Sequence, residues 1–230
     1  MGIESPLAAD LSLALGSSGI SLMEVTRAYS VFANGGMLPK PMVIRGITDV
    51  DGNVIERFEP KLQQAIPADT AYQVTSMLQD VVQRGTGRRA RGLGRPTAGK
   101  TGTTNNLYDA WFVGYTPDYI TGVWVGLDEE ASMGRGETGS RTASPIWLEF
   151  MQTILADKPV KAFEVPEGIV FSRIDAETGL LSETEARKAA ATSLGVTAHP
   201  RARGTRYHAF VDLVRRQLAQ VYREEDLKTE

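Results

Sequence analysis

Apolar positions from Leu22 to Phe32 recur at helical spacing, with Leu22, Val25, Tyr29 and Phe32 on one face. Ser21 followed by Glu24 makes a capping box, and Ile20 with Val25 can form the staple that accompanies it. The helix predicted over residues 22–33 should end in a left-handed cap at Asn34-Gly35-Gly36. Pro39 and Pro41 then force an extended segment. Residues 43–50, the turn Asp51-Gly52 and residues 53–58 read as a small hairpin. A second helix is expected over residues 68–84, with Val74, Leu78, Val81 and Val82 on its apolar face and Gly85 as its stop.

The period then breaks. Residues 85–99 carry Arg88, Arg89, Arg91 and Arg95 among glycines and no acid, which reads as a mobile or ligand-dependent loop. Strand patterns come next, over residues 97–103, 110–116 and 120–127. In the middle one, Trp111, Val113 and Tyr115 share one face and Phe112 and Gly114 the other. Thr116-Pro117-Asp118-Tyr119 is a tight turn, so the three strands predict an antiparallel meander. An acidic, Gly-rich loop spans residues 128–140. Ser144-Pro145 then opens a third helix expected to turn Ile146, Phe150, Met151 and Ile154 inward. Beyond Asp157 the chain becomes more polar, with an amphipathic helix expected through Phe210, Leu213, Val214, Leu218 and Val221. This divides the chain into residues 1–156 and a polar extension, 157–230.

Composition narrows the chemistry. The 230 residues carry a formal charge of −3, which gives no global field for nucleic acid. The absence of cysteine excludes a thiol nucleophile, a disulfide framework and a thiolate metal site. The two histidines, His199 and His208, sit near the C-terminus, so a His-based triad or metal centre would have to lie in the tail. No metal or cofactor is implied, and no apolar run approaches the ~18 residues of a membrane span. Asp109, Asp118 and Asp128 are explained by turn and strand-end placement. Lys, Ser, Thr, Asp, Glu and backbone amides remain as the working groups.

Two readings compete for Gly94-Arg95-Pro96-Thr97-Ala98-Gly99-Lys100-Thr101. It satisfies the phosphate-loop pattern, which requires an apolar strand before it and a helix N-terminus after it to cradle phosphate. The residues before Gly94 are Arg- and Gly-rich, and Lys100 leads into Thr-Gly-Thr-Thr-Asn-Asn, a poor helix former. The other reading makes Lys100-Thr101-Gly102-Thr103 a strand lining a cleft. A cation and hydroxyls would face a carboxylate, a glycine would allow close approach, and a free N–H would polarise a carbonyl. Lys100 and Gly102 then share one strand face, and Thr101 and Thr103 the other.

The surroundings of that strand carry a resemblance. The run from Thr97-Ala98-Gly99-Lys100-Thr101-Gly102-Thr103-Thr104-Asn105 through Asp109-Ala110-Trp111-Phe112-Val113-Gly114-Tyr115-Thr116-Pro117 to Gly122-Val123-Trp124-Val125-Gly126 closely resembles the transpeptidase domain of class A, bifunctional penicillin-binding proteins. Ala28-Tyr29-Ser30-Val31-Phe32-Ala33-Asn34-Gly35-Gly36 and Val81-Val82-Gln83-Arg84-Gly85-Thr86-Gly87 resemble the same family in the same order. So do Thr138-Gly139 and Ala143-Ser144-Pro145-Ile146-Trp147. The resemblance covers roughly residues 3–155. It implies an α+β, serine β-lactamase-like fold, an antiparallel sheet flanked by helices, with the strand of Lys100 at the sheet edge. It implies peptidoglycan cross-linking (or the related D-Ala-D-Ala carboxypeptidase chemistry) at the periplasmic or extracytoplasmic face of the cell envelope, with β-lactams as inhibitors. By the same resemblance, Lys100 would assist proton transfer. The Thr101 and Thr103 hydroxyls would bind the terminal carboxylate of a D-alanyl-D-alanine stem peptide or a β-lactam, with Gly102 admitting the ligand. The Thr103 N–H would be one oxyanion donor.

Two further motifs of that family are missing. No Ser is followed three residues later by Lys, and no Ser-x-Asn occurs. The family places both upstream of the helix that begins at Leu22, with a glycosyltransferase domain and membrane anchor further upstream. The expectation is a C-terminal part of a larger protein, lacking the N-terminal part of its domain and the nucleophile, and inactive alone. The missing part would then be its partner. The alternatives are a non-catalytic binding module derived from this fold and, more remotely, a phosphate-loop nucleotide hydrolase.

Overall fold

The computed structural model describes residues 1–129 and 131–171. The chain falls into two units, Met1–Pro166 and Glu167–Glu230, and the helices and strands all belong to the first among the described residues. The amphipathic helix expected through Phe210, and both histidines, lie outside the described residues.

Helix α1 (Leu22–Ala33) begins at the expected capping box. Glu24 N–H donates to Ser21 Oγ at 3.2 Å, and Ser21 N–H donates back to Glu24 Oε2 at 3.0 Å. The same carboxylate reaches further. It accepts from the backbone N–H groups of Glu4 and Ser5, at 2.8 Å each, and from Ser5 Oγ at 2.7 Å. These donors, the Ser5 hydroxyl foremost, hold the Glu24 carboxyl far below the usual carboxylate range. One side chain therefore starts the helix and ties the N-terminal segment to it. The buried face is rotated from the expected one: Ala28, Ser30 and Val31 are buried, Tyr29 and Phe32 half-buried, and Leu22 exposed.

Past the glycines at 35 and 36, both at positive φ as a left-handed cap requires, β1 (Met37–Pro39) pairs antiparallel with β4 (Leu62–Gln64). Between them stands the expected hairpin, β2 (Gly46–Thr48) with β3 (Val54–Arg57), exposed throughout. Helix α2 (Ala68–Gln83) buries Ala71, Thr75, Leu78 and Val82, with Val81 half-buried beside them. The Arg-rich stretch is not the loose loop its composition suggests. Arg88–Leu93 forms a 3-10 turn whose Ala90 is fully buried, and Arg95 donates to the carbonyls of Leu155, Lys158 and Pro159 at 3.0–3.5 Å. These carbonyls lie at and just past the end of the last described helix, where backbone acceptors lack helical partners.

The core is built on β5 (Ala98–Thr103), β6 (Asp109–Tyr115) and β7 (Ile120–Gly126), an antiparallel meander in the order β5-β6-β7. Tyr115 and Ala98 on one face meet Leu78 of α2, with Tyr29 and Phe32 of α1 packed alongside. The Tyr115 hydroxyl lies 2.9 Å from Thr75 Oγ1, and burial pushes its phenol well above its ordinary value. Phe112 and Ala110 on the other face pack against helix α3 (Ser144–Leu155). A glycine on each face lets a helix reach the sheet backbone. A Cβ at Gly122 would overlap Thr26 Oγ1 of α1, and one at Gly114 would come within 2.8 Å of the Trp147 ring of α3.

Helix α3 corrects the expected phase. Ile146 and Phe150 are half exposed, whereas Trp147, Met151 and Leu155 are buried and Ile154 is partly buried. Both stripes are apolar, so hydrophobic pattern cannot choose between them. The stripe that turns inward carries an indole N–H able to satisfy strand carbonyls. Trp147 Nε1 donates to the carbonyls of Gly114 and Thr121, at 3.1 Å each. Among the described residues no helix is long and apolar enough to cross a membrane.

Candidate functional site

Among the described residues strand β5 pairs along one side only, with β6, in the register Lys100↔Val113, Thr101↔Phe112, Gly102↔Trp111 and Thr103↔Ala110. Its first residues, Ala98 and Gly99, are buried. Lys100 and Thr103 are exposed, and Thr101 and Gly102 half-buried. Just beyond the strand, Thr104 N–H donates to Asp109 O at 3.2 Å. In an antiparallel ladder alternate residues bond across, so the N–H groups of Thr101 and Thr103 are directed away from β6, off the open edge. The Thr101 carbonyl obeys the same alternation, and Lys100 Nζ donates to it at 2.7 Å. The strand thus brings Lys100, Thr101, Gly102 and Thr103 to one rim, with cation, hydroxyls and outward amides within a few residues.

Partial desolvation lowers the Lys100 ammonium pKa from its ordinary value. The two hydroxyls are each held by a neighbour distant in sequence. Thr101 Oγ1 lies 2.7 Å from Thr86 Oγ1, in the turn after α2. Thr103 Oγ1 accepts the N–H of Gly139 at 3.0 Å, at the start of the helical turn Gly139–Ala143. Gly139 lies so close to β5 and β6 that a Cβ there would run into the carbonyl oxygens of Trp111 and Gly102. In the sequence, Thr86 and Gly139 stand out only as parts of segments that resemble the family. Nothing local marks them as partners of the strand, since they lie 15 and 36 residues from the hydroxyls they meet.

Trp111 and Trp124 lie on the Lys100–Gly102 face with ring centroids 6.3 Å apart. Asp109 accepts from Trp124 Nε1 at 2.8 Å, and Asp118 pairs with Lys161 at 2.6 Å, so both acids have structural partners. Among the described residues no group of three or more His, Asp or Glu side chains converges to hold a metal ion. After Lys100 the chain continues as strand, so the Gly-Lys-Thr triplet does not open a helix, and the phosphate-loop reading falls.

Residues 4–152 match the family described as the penicillin binding protein transpeptidase domain. Penicillin-binding protein 1A of Pseudomonas aeruginosa is 40% identical over 221 residues, a match that takes in 74% of this chain and 27% of that protein. Penicillin-binding protein 1A of Aquifex aeolicus is 43% identical over 174 residues, 75% of this chain and 24% of that protein. Among solved structures, penicillin-binding protein 1A from Haemophilus influenzae superposes with a TM-score of 0.72 at 32% identity, covering 76% of this chain and 32% of that one. The PonA1 protein from Mycobacterium tuberculosis in complex with penicillin V gives a TM-score of 0.60 at 27% identity, covering 73% of this chain and 50% of that one. The chain spans about a quarter of the length of these curated relatives. The family match covers well over half of the chain, and the fold is the expected antiparallel sheet flanked by helices. This chain belongs to the penicillin-binding protein transpeptidase family.

Proposed function

We propose that these 230 residues carry the carboxylate-binding and oxyanion edge of a serine D,D-transpeptidase of peptidoglycan synthesis, and not its nucleophile. The observation that carries this reading is the open edge of β5, where Lys100, Thr101 and Thr103 stand together with outward amides. In the reaction, a serine attacks the penultimate D-alanine carbonyl of a stem peptide, D-alanine leaves, and the amine of a neighbouring stem resolves the acyl-enzyme. The Thr101 and Thr103 hydroxyls hold the terminal carboxylate. Gly102 lets the peptide lie against the strand, and the Thr103 N–H donates to the developing oxyanion, a role worth a few kcal/mol in acyl-transfer sites. Lys100 supplies positive charge and assists proton transfer. A β-lactam presents the same carboxylate and carbonyl to the same groups. The penicillin V complex of the similar PonA1 protein supports β-lactams as ligands of this site.

The serine and its activating lysine belong to an S-x-x-K motif that these residues do not contain. Without a nucleophile the covalent step cannot occur, whatever the rest of the site provides. A segment bearing S-x-x-K and S-x-N is therefore the required partner. The place of action is the outer face of the plasma membrane. The purified chain is expected to give no labelled band with a fluorescent penicillin after denaturing electrophoresis. A covalent adduct on the chain alone would overturn the assignment of the nucleophile elsewhere.

A further inference from the structure

The hydroxyls of Thr101 and Thr103 are alike in how the protein holds them, and that points to a further residue. Gly139 N–H can only donate, so at 3.0 Å it takes an acceptor lone pair of Thr103 Oγ1 and leaves that hydroxyl's proton free to point elsewhere. Thr101 has a hydroxyl neighbour instead. The 2.7 Å separation from Thr86 Oγ1 means that one of the two donates to the other. If Thr101 is to give its single proton to an acceptor-only carboxylate, Thr86 must be the donor between them.

We infer that Thr86 is a positioning residue that donates to Thr101 Oγ1, commits the Thr101 proton to the substrate carboxylate, and so helps the site prefer a carboxylate over a neutral terminus. The placement of Thr86 is built for this. The flanking glycines are tied to the end of α2, Gly85 N–H by the carbonyl of Val81 at 3.0 Å and Gly87 N–H by the same carbonyl at 3.1 Å. A Cβ at Gly85 would sit 3.0 Å from the Val81 backbone, so the turn lies close against the end of α2. A chain of hydroxyls in which each donates to the next polarises the last proton toward the anion. Thr86 and the Gly139 N–H thus do the same work on two hydroxyls two residues apart.

This inference rests on the proposed binding of a terminal carboxylate at Thr101 and Thr103, and the test separates the two. The isotopically labelled chain is titrated with N-acetyl-D-alanyl-D-alanine and with its C-terminal amide, read at the backbone amides of Thr101 and Thr103. Thr86→Val should reduce the preference for the carboxylate over the amide about three- to tenfold, the range expected for one hydrogen bond, and Thr86→Ser should restore it. A purely structural role would weaken both ligands together and overturn the inference. It is equally overturned, with the proposed function intact, if Thr101→Val abolishes carboxylate binding while Thr86→Val leaves it at the wild-type level. A wild-type chain that binds neither ligand overturns both.

Discussion

A Trp147→Ala chain is expected to lose about 3–5 kcal/mol of folding stability, the range for truncating a fully buried large aromatic side chain. Trp147 has no exposed surface, and its ring meets Phe112 edge-on with centroids 5.1 Å apart. Its indole N–H is shared between the carbonyls of Gly114 on β6 and Thr121 on β7. Truncation therefore opens a cavity under the sheet and removes the donor that seats α3 on two strands. Gly114 brings no side chain toward the space, since a Cβ there would meet the rings of both Phe112 and Trp147. Urea unfolding monitored by tryptophan fluorescence and circular dichroism measures the loss. Phe150→Ala, on the half-exposed stripe of the same helix, should cost about 1 kcal/mol or less. If the two variants unfold alike, the phase assigned to α3 is wrong.

Gly139→Ala is expected to act on the site as well as on stability. The added methyl would meet the carbonyl oxygens of Trp111 and Gly102, which belong to paired strands and cannot swing aside as a side chain can. The turn Gly139–Ala143 must lift instead, at a cost of about 1–3 kcal/mol for overpacking. As it lifts, the N–H that fills Thr103 Oγ1 goes with it. Gly102→Ala is the control. Its Cβ would sit 3.0 Å from the Cβ of Trp111, a side-chain contact next to the open edge, so folding should suffer less. Thermal melting of both variants, with a titration of each by N-acetyl-D-alanyl-D-alanine, gives the comparison. Equal melting temperatures would contradict the close contact between this turn and the strand.

Much of the fold is legible in the residues because it is local. The capping box of Ser21 and Glu24 fixes the start of α1, and the spacing of Val74, Leu78 and Val82 marks α2. Alternation and the turn at Pro117 give the meander, and Thr and Gly after Lys100 exclude a helix there. The features that the sequence does not reveal are non-local or degenerate. The pairing of Met37–Pro39 with Leu62–Gln64 spans an entire hairpin, and no local pattern requires it. Helix α3 offers two apolar stripes, and only the carbonyls it meets decide between them. The Arg-rich stretch looks solvated until Arg95 is seen on carbonyls at and just past the end of α3. At the site, the strand of Lys100 announces itself by its residues. Thr86 and Gly139 do not, because a lone Thr and a lone Gly carry no signal until the fold sets them against that strand.

The proposed role of the β5 edge is to bind a peptide carboxylate. The direct measurement is a titration of the labelled chain with N-acetyl-D-alanyl-D-alanine, mapping every backbone amide in the wild type and in Lys100→Ala. Saturable shifts centred on Thr101, Gly102 and Thr103 are expected, weakened about tenfold or more when the charge at Lys100 is removed. Shifts absent from that edge, or undiminished by Lys100→Ala, would contradict it.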